Sequence, residues 1–359
     1  MTTLRTPIHK AAEASGATFG QWRQWELPLS YGDVKAEYIS AKEGVVLHDA
    51  SYLGRVKATG ADVLDLLNRL STNRVDHLGP GEGAPTVLTS EKGRIIDLVY
   101  TLNLGPYVLL LTSPGAEETV MQWLDKYTIM EDSTLEDLTP RTTLITLAGP
   151  KAQGTLETLV ETSLGDLGPY QSLPTSPGGL EATVIRMDIG ACPGFHLMVS
   201  AEDAEAIWKM ITDLGATPVG MEAWEVLRVE AGIPAYGKEM GEAYNPLEVG
   251  LVGSIDFDKG CYIGQEVIAR LDTYDKVQRT LVSLKLPGDP LPQEGDKLTY
   301  EGKEVGSITS LARVPTDGRL VGLGYVRAHA AVVGIRLGLA GGDDGSTEVS
   351  GLPRLFDPR

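Results

Sequence analysis

Cysteine and histidine are scarce in this chain, which has two Cys and five His among 359 residues. With no Cys-x-x-Cys spacing, so few ligands do not build a complete structural metal site, and none is expected. The two thiols, Cys192 and Cys261, are far apart in sequence, and a reducing compartment argues against pairing them. Basic residues are also in deficit: 31 Lys and Arg stand against 49 Asp and Glu, for a formal charge of −18. That charge repels a phosphate backbone and no run of Lys or Arg offsets it, so direct, tight nucleic-acid binding is disfavoured. No apolar run approaches the length of a membrane span, and the opening MTTLRTPIHKAAEASG lacks the apolar core of a signal peptide. A cytoplasmic protein with no membrane partner is the expectation.

What is present is ordinary for a folded chain. Hydrophobic residues make up 42% and charged residues 22%, and 42 Gly with 21 Pro imply many turns. The length favours two or three domains over one core. A helix starts after Pro7, an aromatic loop carries Trp22 and Trp25, and a helix runs near Asp33 to Glu43. The tryptophans read as core anchors rather than base-stacking platforms. Val63, Leu66, Leu67 and Leu70 share one helical face.

An order of strand, turn, strand, Ser and helix occurs twice, at 94–127 and at 181–214. The second helix places Ala204, Ile207, Trp208, Ile211 and Leu214 on one face, with Ser200 and Asp203 at its start. Two related α+β units follow, about 50–140 and 141–225, with 163–179 as a surface loop between them. Met221 to Ala231 reads as a helix. Beyond Val277 the pattern changes to closely spaced short strands with turns near 287–289, 295–296, 301–303 and 317–318, which is a small antiparallel barrel. The expected division is 1–275 and 276–359.

Chemistry concentrates at 255–271, IDFDKGCYIGQEVIARL. Val267 and Leu271 recur at helical spacing from Ile263, with Gln265 and Glu266 in the first turn, so a helix opens near Gly264 and Cys261 stands just before it. The partial charge of that terminus and the Lys259 ammonium both favour thiolate over thiol. Gly260 and Gly264 remove bulk on either side of the sulfur. Free cysteine is also among the most buried residue types, so a small core filler is the competing reading.

The octet Lys259-Gly260-Cys261-Tyr262-Ile263-Gly264-Gln265-Glu266 resembles the signature of the YgfZ proteins, a branch of the superfamily of the glycine-cleavage T-protein, a tetrahydrofolate-dependent aminomethyltransferase. The likeness extends to Trp25-Glu26-x-Pro28, Tyr31-Gly32 and Asp49-x-Ser51-x-x-Gly54 near the start, and to Val305, Gly306, Thr309 and Ser310 of a V-G-x-x-T-S motif, ending about Ala340. It implies an α+β fold of two related domains around a central folate-type cavity plus a C-terminal antiparallel β-barrel.

The resemblance also implies that the chain binds tetrahydrofolate or a one-carbon derivative, and that it supports iron–sulfur client or assembly proteins and some tRNA modification, with Cys261 and Lys259 as the working pair. The alternative is a tetrahydrofolate-dependent aminomethyltransferase acting on a lipoyl carrier protein; a third reading is a protein that holds folate without catalysis. Two departures bear on the choice. The stretch aligned with the T-protein G-Y-T-G-E-x-G-x-E segment, residues 190–196, has no carboxylate, and Ala223-Trp224-Glu225 replaces Ala-Arg-Asp. Asp97, Arg228 and Glu230 remain as candidate folate contacts. Asp97 stands where T-proteins carry an Asp-Asp pair, with the alternative of a solvent-facing strand position; Arg228 has an ion pair with Glu225 as its alternative.

Overall fold

The computed structural model describes residues 3–353 and 355, apart from 191, 290 and 340–345. Ala191 of the 190–196 stretch and Ala340, where the resemblance ends, lie outside the described residues. Strand β1 (Leu4–Arg5), helix α1 (His9–Ala14), strands β2 (Thr18–Trp22) and β3 (Trp25–Ser30), helix α2 (Val34–Glu43) and strand β4 (Val46–Asp49) come first. A repeat then runs β5 (Gly54–Thr59), α3 (Val63–Leu70), β6 (Gly83–Thr89), β7 (Ile95–Asn103), β8 (Val108–Thr112), α4 (Glu117–Tyr127) and β9 (Thr134–Asp137). The same order returns as β10 (Thr142–Ala148), α5 (Ala152–Val160), β11 (Ser172–Thr175), β12 (Ala182–Arg186), β13 (Gly194–Ser200), α6 (Ala204–Asp213) and β14 (Thr217–Val219). Helices α7 (Met221–Glu230), α8 (Pro246–Val249) and α9 (Gln265–Thr273) lead to strands β15 (Arg279–Leu286), β16 (Lys297–Tyr300), β17 (Lys303–Arg313), β18 (Leu320–Arg327), β19 (Arg336–Leu339) and β20 (Thr347–Gly351).

The repeat is visible in the strand orders. The first sheet runs β6-β7-β8-β5-β9 and the second β11-β12-β13-β10-β4-β14. The second is thus the first with β4 inserted between its last two members. β14 lies parallel to β4, whereas β10 is antiparallel to both β4 and β13. The last six strands close an antiparallel barrel in the order β15-β18-β17-β16-β19-β20.

Two compact units result, one of 1–66, 75–84 and 99–225, the other of 67–74, 85–98 and 226–359. The cysteine segment therefore belongs to the same unit as the barrel. In the first unit Leu102, Leu109 and Leu111 share a buried cluster with Leu144, Ile185 and Met198 of the second sheet. The far face of that second sheet, with Val184, Phe195 and Leu197, is covered by Leu156 and Val160 of α5 and Ile207, Trp208 and Ile211 of α6. Each such side chain contributes roughly 1.5–3 kcal/mol by leaving water. Among the described residues, no helix is long and apolar enough to cross a membrane.

Some local expectations change. The aromatic loop is a hairpin, with Trp22 opposite Trp25 and Arg23 turning the chain at positive φ. Trp25 is buried in the core as expected. Leu214 does not join the inner face of α6; it caps the helix and is exposed, because the helix ends at Asp213. The Gly/Pro/Ser-rich segment at 163–179 contains β11 at the edge of the second sheet.

That sheet carries two buried histidines on strands flanking β10, His48 and His196, each opposite Thr146. Burial pushes His48 down to about 3 and His196 down to about 4. Both values lie below the unfolded value of about 6.5, so the neutral rings stabilise the fold fully above that pH and the contribution is lost as pH falls. Buried Asp49 and Glu37, whose carboxyl values are raised mainly by desolvation, act in the opposite sense. The test is therefore a difference measurement. Denaturant titrations of His196→Asn against wild type between pH 7 and 4.5 are expected to show a shallower acid loss in the variant, by up to about 1.4 kcal/mol per pH unit.

Candidate functional site

The cysteine segment is built on a sharp helical turn and a set of cross-links, all within the second unit. Asn245 caps α8, its side chain accepting from Leu247 N and Glu248 N at 3.0 Å while Glu248 Oε2 accepts from Asn245 N at 3.0 Å. Gly250 ends that helix in the left-handed region at φ 84°. The chain is then stitched to the segment after α3: Thr72 Oγ1 donates to Ser254 O at 2.6 Å, and Asp256 N donates to Thr72 O at 3.0 Å.

Lys259 is buried, and its Nζ donates to Asn68 O at 2.6 Å, Ser71 O at 2.9 Å and Asn73 O at 2.6 Å. Those carbonyls belong to the last turn of α3 and the residues just beyond it, where helical acceptors lack partners and the dipole favours a cation. The ammonium also lies 5.4 Å from the Tyr262 ring centroid. Tyr262 is itself buried beside Leu247, Ile255 and Ile268, and burial pushes its hydroxyl up to about 12.

Between these two anchored side chains Cys261 is free and exposed, so the core-filler reading does not hold. Gly260 has open space where a Cβ would stand. Ile263 N donates to Arg69 O at 3.3 Å, and Thr89 Oγ1 donates to Ile263 O at 2.5 Å. Gly264 then caps α9 at φ +85°, and a Cβ there would meet Ser90 O at 2.6 Å and the Cα of Gly93 at 3.1 Å. Gln265 and Glu266 occupy the first turn as the sequence predicts, Glu266 exposed and Gln265 half-buried.

The other candidates fall in two groups. Asp97 on β7 is fully buried, with buried neighbours on both sides along the strand, so it is not a solvent-facing position. Arg228 and Glu230 are committed to the barrel. Arg228 donates through Nη1 to Ile233 O at 2.7 Å and Glu239 Oε2 at 3.4 Å, and through Nη2 to Ser310 Oγ at 2.9 Å. Fully buried Glu239 also accepts from Ser310 Oγ at 2.7 Å and Ala235 N at 2.9 Å, and its carbonyl accepts from Tyr325 Oη at 2.6 Å. Glu230 pairs with Arg319. Arg228 thus pairs with Glu239. Nothing in the local sequence marks Glu239, one of several acids in a glycine-flanked turn.

The V-G-x-x-T-S motif explains itself in the same network. A Cβ at Gly306 would lie 1.9 Å from Tyr325 O, Thr309 is the residue skipped in the β17–β18 register, and Ser310 joins Arg228 to Glu239. In the first unit, Trp224 stacks on His48 with centroids 4.1 Å apart and planes 8° from parallel. His48 Nδ1 is 3.1 Å from Val219 O and Nε2 is 3.1 Å from Tyr52 Oη. A carbonyl only accepts, so the ring proton is on Nδ1 and the phenol donates to Nε2.

Residues 8–259 match the GCVT N-terminal domain, and residues 279–344 match the glycine cleavage T-protein C-terminal barrel domain. A putative chloroplastic transferase of Arabidopsis thaliana is 36% identical over 316 residues, 87% of this chain and 72% of that one. An aminomethyltransferase of Thermotoga petrophila is 32% identical over 333 residues, 91% of each chain. The glycine cleavage system aminomethyltransferase T of Bartonella henselae shares the fold, with a TM-score of 0.86 over 99% of both chains at 22% identity.

Gly260 and Gly264 give a direct test of the loop. Gly264→Ala combines a left-handed backbone with a clash against main chain, and is expected to cost at least about 2 kcal/mol in urea unfolding. Gly260→Ala, in open space, is the control, expected within about 0.5 kcal/mol of wild type.

Proposed function

The chain belongs to the glycine cleavage T-protein family, and from that premise we propose that it binds tetrahydrofolate or a one-carbon derivative and acts as a folate-dependent aminomethyltransferase. The observation that carries this reading is the correspondence along nearly the whole chain, through the N-terminal domain and the barrel, with proteins named aminomethyltransferase. In that reaction the carbon of an aminomethyl group on a lipoyl sulfur becomes bonded to two folate nitrogens as its carbon–sulfur and carbon–nitrogen bonds break, and the two displaced N–H protons leave with the ammonia and the thiol.

The chain's part is to hold the pterin and exclude water. A pterin presents a ring N–H and an exocyclic amine on one edge, which a desolvated carboxylate accepts together. Asp97 is the proposed acceptor: its burial and its place on β7 suit that task. Arg228 and Glu230 act one step back, fixing α7 against the barrel.

A second reading is favoured by one specific observation, the exposed thiol of Cys261 on a loop anchored at both neighbouring side chains. On that reading the chain is of the YgfZ type, binds folate without aminomethyl transfer and supports iron–sulfur proteins through Cys261. The stacking of Trp224 on His48, in place of an arginine, is consistent with it.

Ammonia release dependent on both tetrahydrofolate and an aminomethyl-lipoyl carrier separates the two. Turnover supports the transferase. Its absence in a protein that still binds folate moves the function to the second reading. For the pterin anchor, Asp97→Asn turns one acceptor oxygen into a donor facing donors. Loss of a charge-assisted bond is worth about 1.5–3 kcal/mol, so calorimetric affinity for 5-formyltetrahydrofolate is expected to fall by roughly one to two powers of ten. Unchanged affinity in a variant of unaltered melting temperature removes Asp97 from the site, and no binding by wild type removes the folate proposal.

A further inference from the structure

We propose that Lys259 is a positioning residue, a tether that fixes the Cys261 loop to the end of α3, and that it does not act as the electrostatic activator of the thiol. An ammonium has three N–H bonds, and the carbonyls of Asn68, Ser71 and Asn73 take all three at 2.6–2.9 Å. These bonds direct the ammonium toward the end of α3. The acceptors are backbone groups, so the cation is held by dipoles that cannot move without unwinding the segment that carries them. That same segment supplies Thr72 and Arg69, whose carbonyls accept from Asp256 N at 3.0 Å and Ile263 N at 3.3 Å. Lys259 therefore sits between two further attachments of one loop, with Cys261 exposed in their midst.

The tether also explains why lysine stands here. A guanidinium is planar and presents its donors in one fixed fork, whereas a primary ammonium turns its three protons toward acceptors on three sides. The inference deepens the reading of Cys261 given above. It is tested on folate-free protein, so its failure is distinguishable from a failure of folate binding.

The experiment compares wild type, Lys259→Met and Lys259→Arg by amide hydrogen exchange and by the pH dependence of iodoacetamide alkylation at Cys261. In Lys259→Met the amides of Asp256 and Ile263 are expected to exchange at least about tenfold faster, because the loop opens locally without global unfolding. Added ammonium or methylammonium chloride, which can enter the vacated set of carbonyls, is expected to slow that exchange again. The midpoint of the alkylation profile is expected to stay where it is in wild type. A midpoint that rises by a unit or more in Lys259→Met and returns in Lys259→Arg overturns the proposal in favour of electrostatic activation, and wild-type exchange in Lys259→Met overturns the tether. Should Lys259→Met fail to fold, Lys259→Arg decides: fast exchange with an unmoved midpoint supports the tether, and wild-type exchange refutes it.

Discussion

Three carbonyls and one ammonium satisfy one another at the end of α3, and the local architecture around the cysteine depends on that match. Leaving a buried acceptor without its donor typically costs about 1–3 kcal/mol, since the group keeps its desolvation without compensation. The consequences run outward along the chain. The segment after α3 holds Ser254 and Asp256 through Thr72, the loop reaches Gly264, and Gly264 lies against Gly93 just before the strand that carries Asp97. A thiol and a buried carboxylate thus share one mechanical frame inside the second unit.

Much of this was legible in the sequence, and the failures have physical causes. Helical faces such as Val63, Leu66, Leu67 and Leu70 are read correctly because burial imposes the helical period on them, and all four are buried. The start of α9 at Gly264 follows from the same period plus a glycine where φ must be positive. By contrast β4 is buried along its whole length, so it shows no alternation, and its four residues carry no local strand signal. The Trp22–Trp25 hairpin was hidden because Arg23 takes the positive φ that a glycine would have announced. In the site, the residues of the octet could be named but not their roles. Lys259 looks like a neighbour of Cys261 in sequence, while its acceptors are 186 to 191 residues earlier. Glu239 is invisible for the same reason: its partners, Arg228, Ser310 and Tyr325, come from three separate elements.

Trp224 places an aromatic plane against a neutral, doubly hydrogen-bonded imidazole, and that ring's tautomer is fixed by Val219 and Tyr52. Stacked rings of this kind add about 0.5–1.5 kcal/mol beyond area burial.

The strand inserted into the second sheet also sets a timetable. β4 is made early, yet its neighbours β10 and β14 are residues 142–148 and 217–219, so it has no partner strand until about a hundred further residues have been added. At a synthesis rate of about 5–20 residues per second, that is a wait of roughly 5 to 20 seconds before the first edge can form, and longer for the second. The first repeat, whose described strands form one sheet with one another, can close in that interval. The second repeat must accept a strand from outside its own span, so β4 gains its partner strands only after both repeats have been made, although it leaves the ribosome first.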